Sequence, residues 1–300
     1  MWFNPRMTTH FSTIALIGKY QSPDVAEAVL ELAAFLRDRG HKVLIEQGTA
    51  SSIGLSGDFP VAGYDAIGEQ AGLAVVMGGD GTMLNTARRL AEYGVPLVGV
   101  NQGRVGFLTD IGRDCAVQRL TEMLEGRYTE ERRFMLSAEV LRGGDRVFHT
   151  LALNDVVLNK GDIGRMIEFD VSIDDDFVYT QRSDGMIVTT PTGSTAYALS
   201  ANGPILHPSI DAIALVPLCP HALTARPVTL PDTCRIDIRL LPLHEARIHF
   251  DGQTRFDARA GDCVRITRSP HALRLLHPEG YSYYAMLREK LHWSAVPRIP

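Results

Sequence analysis

The hydrophobic period of this chain changes near Arg132, and that change limits the fold more than any other feature. Before it, apolar strands alternate with amphipathic helices. Residues 13–18 (TIALIG) read as a buried strand, and Ser22-Pro23 supplies an N-cap and first-turn signal. Val25, Val29, Leu32 and Leu36 then share one helical face, and Gly40 provides the stop. Residues 41–46 predict a second strand, followed by a Gly/Ser-rich loop and a short helical stretch. Residues 73–77 (LAVVM) predict a third strand, 82–91 a helix ended by Gly94, and 95–100 a fourth strand. Val117, Leu120 and Leu124 mark one more helix, closed by Gly126. Continuous apolar strands separated by helices imply a parallel sheet covered on both faces.

Beyond Arg132 the period becomes two. Ile167, Phe169, Val171 and Ile173 alternate with polar residues; so do Ile236, Ile238 and Leu240, then Val264 and Ile266. Turn signals at 143–144, 174–176, 251–252 and 261–262 separate such runs. This is the pattern of antiparallel sheets with one face packed inward. The expected architecture is an α/β N-terminal domain with a parallel sheet, residues 1–130, followed by an all-β, sandwich-like antiparallel domain, residues 131–280. One clear helix is expected in the β domain, starting near Ser194. The helical stretch 283–293, within 281–300, is a candidate to return to the first domain.

Composition narrows the class. No apolar run reaches the ~18–20 residues of a membrane-spanning helix, and after the polar and aromatic residues 1–10 no signal peptide is expected. A net charge of −5 argues against a general nucleic-acid-binding surface. Cys115, Cys219, Cys234 and Cys263 are scattered without the paired spacing of a zinc or redox site. They suit a reducing compartment, so a cytoplasmic location is expected.

The sharpest local feature is Gly78-Gly79-Asp80-Gly81-Thr82, between a buried strand and a helix. In open parallel sheets ligands bind where strands end and helices begin, and glycines there let backbone N–H groups approach phosphates. The spacing is neither a Walker A loop nor a G-x-G-x-x-G fingerprint. Taken alone, the pattern fits a phosphate-binding turn or a tight strand-to-helix turn capped by Asp80. Asp80 itself separates the two. A carboxylate ~4 Å from a phosphate charge is repelled by ~4 kcal/mol at an effective dielectric near 20, so pure phosphate binding would gain from its loss. A site that deprotonates an attacking hydroxyl needs such an acceptor.

Five blocks then appear in order: GGDGT at 78–82, NQGRVGFLTD at 101–110, Asn154-Asp155, Ser183-Asp184-Gly185 and TPTGSTAY at 190–197, followed by Asn202-Gly203-Pro204. Residues 216–227 and 251–253 (DGQ) add further matches. In order and spacing the chain closely resembles bacterial NAD kinases, from about Thr13 to its C-terminus. The resemblance implies a small α/β domain joined to a β-rich domain, with the active site in the cleft between them. It implies Asp80 as general base, with Gly78, Gly79, Gly81 and Thr82 near the phosphates. It also implies NAD contacts at Gly81, Asn154, Asp155, Asp184, Thr195, Ala196, Tyr197 and Ser200, with Phe107 and Gln253 as further assignments of the same kind.

Several of these positions have their own physical reading. Asn154 and Asp155 interrupt an apolar stretch, where unpaired polar groups would be costly, although a strand end would also accommodate them. Tyr197 suits stacking on a flat base or filling core. Arg165 and Arg182 suit a pyrophosphate or 2′-phosphate, while an exposed salt bridge is the commoner role for either alone. The resemblance implies that Arg104, in the 101–110 block, and Arg165, in the loop that follows Gly164, occupy variable positions that bear on cofactor preference. The acidic run 174–176 reads as a solvated hairpin tip rather than a metal site. Mg²⁺ is expected to arrive with ATP and keep most of its waters.

The expected reaction is transfer of the γ-phosphate of ATP to the 2′-hydroxyl of the adenosine ribose of NAD, giving NADP, in a homodimer or homotetramer. A lipid or sphingoid kinase would need an acyl-chain channel or membrane face, which the sequence does not advertise. A nonenzymatic NADP(H)-binding sensor would have no use for Asp80.

Overall fold

The computed structural model describes residues 11–18, 23–55, 57–103, 106–161 and 165–293. Ser22, Arg104 and the side chain of Val25 lie outside the described residues. The chain forms two compact units, Met1–Arg132 with Leu273–Pro300, and Arg133–Ala272.

In the first unit, β1 (Thr13–Gly18) leads into α1 (Pro23–Asp38), where Val29, Leu32, Ala33 and Leu36 form the buried stripe. Burying each such side chain stabilises by about 1.5–3 kcal/mol. Gly40, at φ +87°, turns the chain into β2 (Lys42–Glu46). The expected Gly/Ser-rich loop is instead helical at once, as α2 (Gln47–Ser52). Its cause is Glu46, whose buried carboxylate accepts the N–H groups of Gly48 at 2.9 Å and Thr49 at 2.8 Å. A two-residue β3 (Val61–Ala62) and α3 (Tyr64–Gln70) precede β4 (Leu73–Met77). Then come α4 (Asp80–Leu90), β5 (Leu97–Asn101), the short β6 (Ile111–Gly112) and α5 (Ala116–Leu124). In α5 the inward face is Ala116, Leu120, Met123 and Leu124, whereas Val117, expected inward, is exposed.

The strand order is β3-β2-β1-β4-β5, all parallel. The sheet therefore grows outward from β1 in one direction and then restarts on its other side with β4. That reversal lies between β1 and β4, whose last residues, Gly18 and Met77, are paired. Open α/β sheets take ligands beyond the carboxyl ends of the strands at such a point.

The strand β7 (Tyr128–Arg142) begins in the first unit and continues into the second, where it forms a hairpin with β8 (Asp145–Ala152) through Gly143-Gly144. The chain continues as β9 (Asp155–Asn159), β10 (Ile167–Ile173), β11 (Asp176–Ser183) and β12 (Gly185–Thr189). The helix expected near Ser194 is a 3-10 turn, Gly193–Thr195, and a single turn, α6 (Tyr197–Ser200). The strands β13 (Ala212–Leu218), β14 (Val228–Pro231), β15 (Ile236–Leu240), β16 (Ala246–Phe250) and β17 (Thr254–Ala258) follow. Finally β18 (Cys263–Pro278) leaves this unit at its end, and α7 (Tyr283–Leu291) belongs to the first.

The period-two pattern sets the register. Phe169 faces Leu240, Val171 faces Ile238 and Ile173 faces Ile236 across antiparallel β10 and β15. These side chains pack with Val156, Leu158, Met186, Val188, Ile248 and Phe250 from the six-stranded sheet β14-β13-β12-β9-β16-β17 into one core. The result is a sandwich of two antiparallel layers. The central strands of the six-stranded sheet are buried on both faces, because Val157, Ile187, Ala214 and Val216 on the outer side are covered by Ala198 and Leu206.

Candidate active site

The GGDGT turn sits at the carboxyl end of β4. Gly78 donates its N–H to Val100 O at 2.9 Å, and Gly79 is the N-cap of α4. The first intrahelical bonds run from the N–H groups of Thr82 and Met83 to Gly79 O. Earlier amides of the turn therefore precede the helical ladder, as at every helix N-terminus. Among the described residues nothing lies within 4 Å of a Cβ built on Gly79.

Asp80 does not cap this helix. It is the first helical residue, two positions before the expected start, and its side chain reaches a second loop, 106–109. Phe107 donates its N–H to Oδ2 at 2.9 Å, Leu108 donates its N–H to Oδ1 at 3.0 Å, and the Thr109 hydroxyl donates to Oδ1 at 3.1 Å. Asn101 in turn donates through Nδ2 to Thr109 Oγ1 at 2.8 Å, fixing that hydroxyl's rotor. Two glycines make the approach possible. A Cβ on Gly106 would overlap the Asp80 carboxylate, and one on Gly99 would overlap the backbone at Leu108 and Thr109. A carboxylate offers about four lone-pair directions. Among the described residues Oδ1 takes two donors and Oδ2 takes one, which leaves Oδ2 able to accept a further proton. Phe107, expected to touch NAD, contributes its backbone amide to Asp80.

The second unit carries a separate cluster. Asn154 lies between β8 and β9, so Asn154 and Asp155 do not interrupt one strand but mark the passage from one strand to the next. Three successive amides at this break, those of Leu153, Asn154 and Asp155, donate to the Asp251 carboxylate at 3.1, 2.7 and 3.3 Å. Asp251 occupies the left-handed region at φ 52°, in the Asp-Gly turn between β16 and β17. Asn154 O meanwhile accepts the Thr190 N–H and the Thr189 hydroxyl. A Cβ on Gly193 would overlap that same carbonyl, so the TPTGS segment packs tightly against the strand break.

Asn154, Asp155, Ala196 and Tyr197 line one cavity of about 400 Å³, together with Asn159, His249, Asp251 and Gly252. Asp155 is only 4% exposed. Burial, and then the negative charge of Asp251, push its carboxyl up to about 7. Burial and the neighbouring Arg255 and Arg247 hold the His249 imidazole below its ordinary value. Tyr197 is 49% exposed and does not fill core; it also lines a neighbouring cavity of about 500 Å³ with Ser200 and Arg226.

Other expected residues stand apart from this cavity. Thr195 lies half-buried just before Ala196, and Gln253 is exposed in the turn beyond Gly252. Asp184 is paired with Lys160 at 2.8 Å, and a Cβ on the adjacent Gly185 would overlap Leu158 O. Arg182 lies 3.7 Å from Glu168 and borders a different cavity, with Tyr179, His221 and Arg226. Arg165 is exposed. The acidic tip at 174–175 is occupied by Arg235, which pairs with Asp175. Three participants escaped the sequence reading: Asp251 as the acceptor of three amides, and His249 and Asn159 as cavity walls. Asp251 was legible as a turn residue and as part of the DGQ match, but not as an amide acceptor, and nothing in the sequence singled out His249.

Comparison with known proteins bears on both units. Residues 14–128 match the family described as the ATP-NAD kinase N-terminal domain, and 153–277 the ATP-NAD kinase C-terminal domain. An NAD kinase of Aromatoleum aromaticum is 77% identical over 300 residues, covering 100% of both chains. An NAD kinase of Thiobacillus denitrificans is 51% identical, covering 96% of this chain and 99% of that one. In fold, the chain is similar to a yeast NADH kinase whose crystal structure is complexed with NADH. The TM-score is 0.88 at 23% identity, over 99% of this chain and 95% of that one. With matches spanning both units and near-complete coverage at 77% identity, this chain belongs to the NAD kinase family.

Proposed function

We propose that the protein transfers the γ-phosphate of ATP to the 2′-hydroxyl of the adenosine ribose of NAD. The observation that carries this is the Asp80 carboxylate, fastened by three donors at the end of β4 with acceptor capacity remaining on Oδ2. Asp80 takes the proton of the 2′-hydroxyl as that oxygen bonds to the γ-phosphorus. The bond from the γ-phosphorus to the β–γ bridging oxygen breaks, and ADP leaves. Gly78, Gly79, Gly81 and Thr82 face the transferred group with the amide-rich start of α4, where a helix dipole favours negative charge.

Asn154, Asp155, Ala196 and Tyr197 hold the adenosine portion of NAD, with Thr195 and Ser200 beside them. Asp251 aligns the strand break that presents the first two. Among the described residues no cluster of His, Cys, Asp and Glu is arranged to hold a metal ion. In this reading Mg²⁺ arrives with the substrate, as MgATP, and neutralises phosphate charge. Among the same residues no helix is long and apolar enough to cross a membrane. We place the reaction in the cytoplasm and the enzyme in a homodimer or homotetramer, whose mass light scattering would measure.

The test is incubation with NAD and MgATP, followed by detection of the product with an NADP-specific dehydrogenase. NADP formed in proportion to enzyme supports the proposal. Its absence with ATP, other nucleoside triphosphates and polyphosphate alike would overturn it.

A further inference from the structure

The returning C-terminal segment brings a buried histidine to the loop that fastens Asp80. His277, near the end of β18, is 1% exposed. Its Nδ1 lies 2.8 Å from Asp110 Oδ2 and its Nε2 lies 3.0 Å from Glu131 Oε2. The Tyr281 ring stacks on it at 3.7 Å between centroids, tilted by 10°. A neutral imidazole has one N–H and one lone pair, so it can donate to only one of two carboxylates and must point a lone pair at the other. The imidazolium donates to both. The second oxygen of Asp110, Oδ1, is buried and has no hydrogen-bond partner among the described residues, so the ring is what balances that carboxylate there.

Asp110 directly follows Thr109 and ends the loop whose Phe107, Leu108 and Thr109 hold the Asp80 carboxylate. The loop is itself tight, with the Gly106 N–H donating to Thr109 O at 2.8 Å. We propose that His277, as an imidazolium bridging Asp110 and Glu131, is a positioning residue that pins the 106–110 loop and thereby sets the Asp80 carboxylate. The proposal rests on the reading of Asp80 as the base. None of the five blocks quoted from the sequence includes His277.

Among the described residues the groups facing the ring are Asp110 from the loop, Glu131 from β7 and Tyr281 beyond β18. Next to them the Glu130 carboxylate is held by Arg274, 2.7 Å away, with Arg132 at 3.8 Å. Burial alone would lower the affinity of His277 for its proton. The hydrogen bonds and charges of Asp110 and Glu131 outweigh it and hold the ring above its ordinary value of 6.5. For a cation with a raised value, the clamp is complete at low pH and is lost as pH rises through the folded value. Turnover should therefore fall at alkaline pH.

The test compares wild type, His277→Gln and Glu131→Gln by amide hydrogen exchange, steady-state kinetics from pH 6 to 10 and imidazole nitrogen shifts. His277→Gln should lower protection at Phe107 and Leu108 and reduce kcat by about tenfold, the equivalent of ~1.4 kcal/mol in the transition state, with KM for NAD unchanged. It should also lose the alkaline limb due to this group. Should that variant not fold, Glu131→Gln serves alone: it removes one of the two carboxylates and should move the alkaline limb to lower pH. Unaltered protection at Phe107 and Leu108 in His277→Gln, an unmoved limb in Glu131→Gln, or a neutral His277 ring at pH 7 would each overturn the clamp. Failure of the underlying reading looks different. Asp80→Asn would then keep full turnover while His277→Gln still loosened the two amides.

Discussion

Replacing Asp155 with asparagine should make the protein more stable above neutral pH while weakening its hold on NAD. Asp155 begins β9 and is 4% exposed, with the Asp251 charge close by. Burial first, and then that charge, move its carboxyl from 3.8 to about 7. Between these values the unfolded chain is ionised at this position and the folded protein keeps its proton. The folded state thus binds more protons, and stability declines as pH rises from about 4 to about 7, then levels off. The full interval corresponds to about 4 kcal/mol. Asparagine has nearly the same shape and no charge to bury, so the variant should escape the decline. Its advantage over wild type should grow from near zero at pH 4 to about 2–4 kcal/mol at pH 8. Urea unfolding of both proteins at unit intervals from pH 4 to 8 reads this directly. Asparagine keeps only one acceptor oxygen, and the loss of one hydrogen bond to a ribose hydroxyl, ~1.4 kcal/mol, should raise KM for NAD about tenfold. Parallel stability curves for the two proteins would refute the argument that Asp155 is buried as a strained acid.

Two further substitutions probe the site. Gly106→Ala would drive a methyl group into the Asp80 carboxylate and should cost about 2–4 kcal/mol of stability together with at least ~10-fold in kcat, seen by thermal unfolding and steady-state rates. Wild-type kcat in that variant would mean the loop does not hold Asp80 during catalysis. Tyr197→Ala removes a half-exposed ring from the wall of two cavities, so stability should change by less than ~0.5 kcal/mol. If the ring stacks on a base, worth ~1–3 kcal/mol, KM for NAD should rise at least about fivefold, and an unchanged KM would take Tyr197 out of the site.

What could be read beforehand followed from how each segment is buried. Strands with one wet face, such as β10 and β15, keep alternation, and that alternation set both their existence and their register. Strands β12 and β13 lie in the middle of a sheet covered on both sides, which erases the alternation, and neither stood out. The helix α2 was hidden for another reason: its cap, Glu46, looks like the last residue of a strand. At the site, Asp80 could be singled out because a carboxylate among phosphate-binding glycines is electrostatically odd. Its partners could not, since two of the three donors there are a backbone amide of Phe107 and one of Leu108, which any residue supplies. The role of Asp251, though not its DGQ run, was opaque on the same grounds, because it acts on main-chain groups at a strand break nearly a hundred residues away in sequence. His277 carries no motif; only the fold brings Asp110 and Glu131 to its two nitrogens.

The most direct test of the account is single-turnover NADP formation by Asp80→Asn, with NAD affinity measured on the same preparation. Binding of NAD should persist, because the adenosine contacts proposed here lie on the other unit, while the rate should fall by ~100-fold or more, the scale of a lost general base. A rate close to wild type with NAD bound would contradict the assignment of the transferred proton to Asp80.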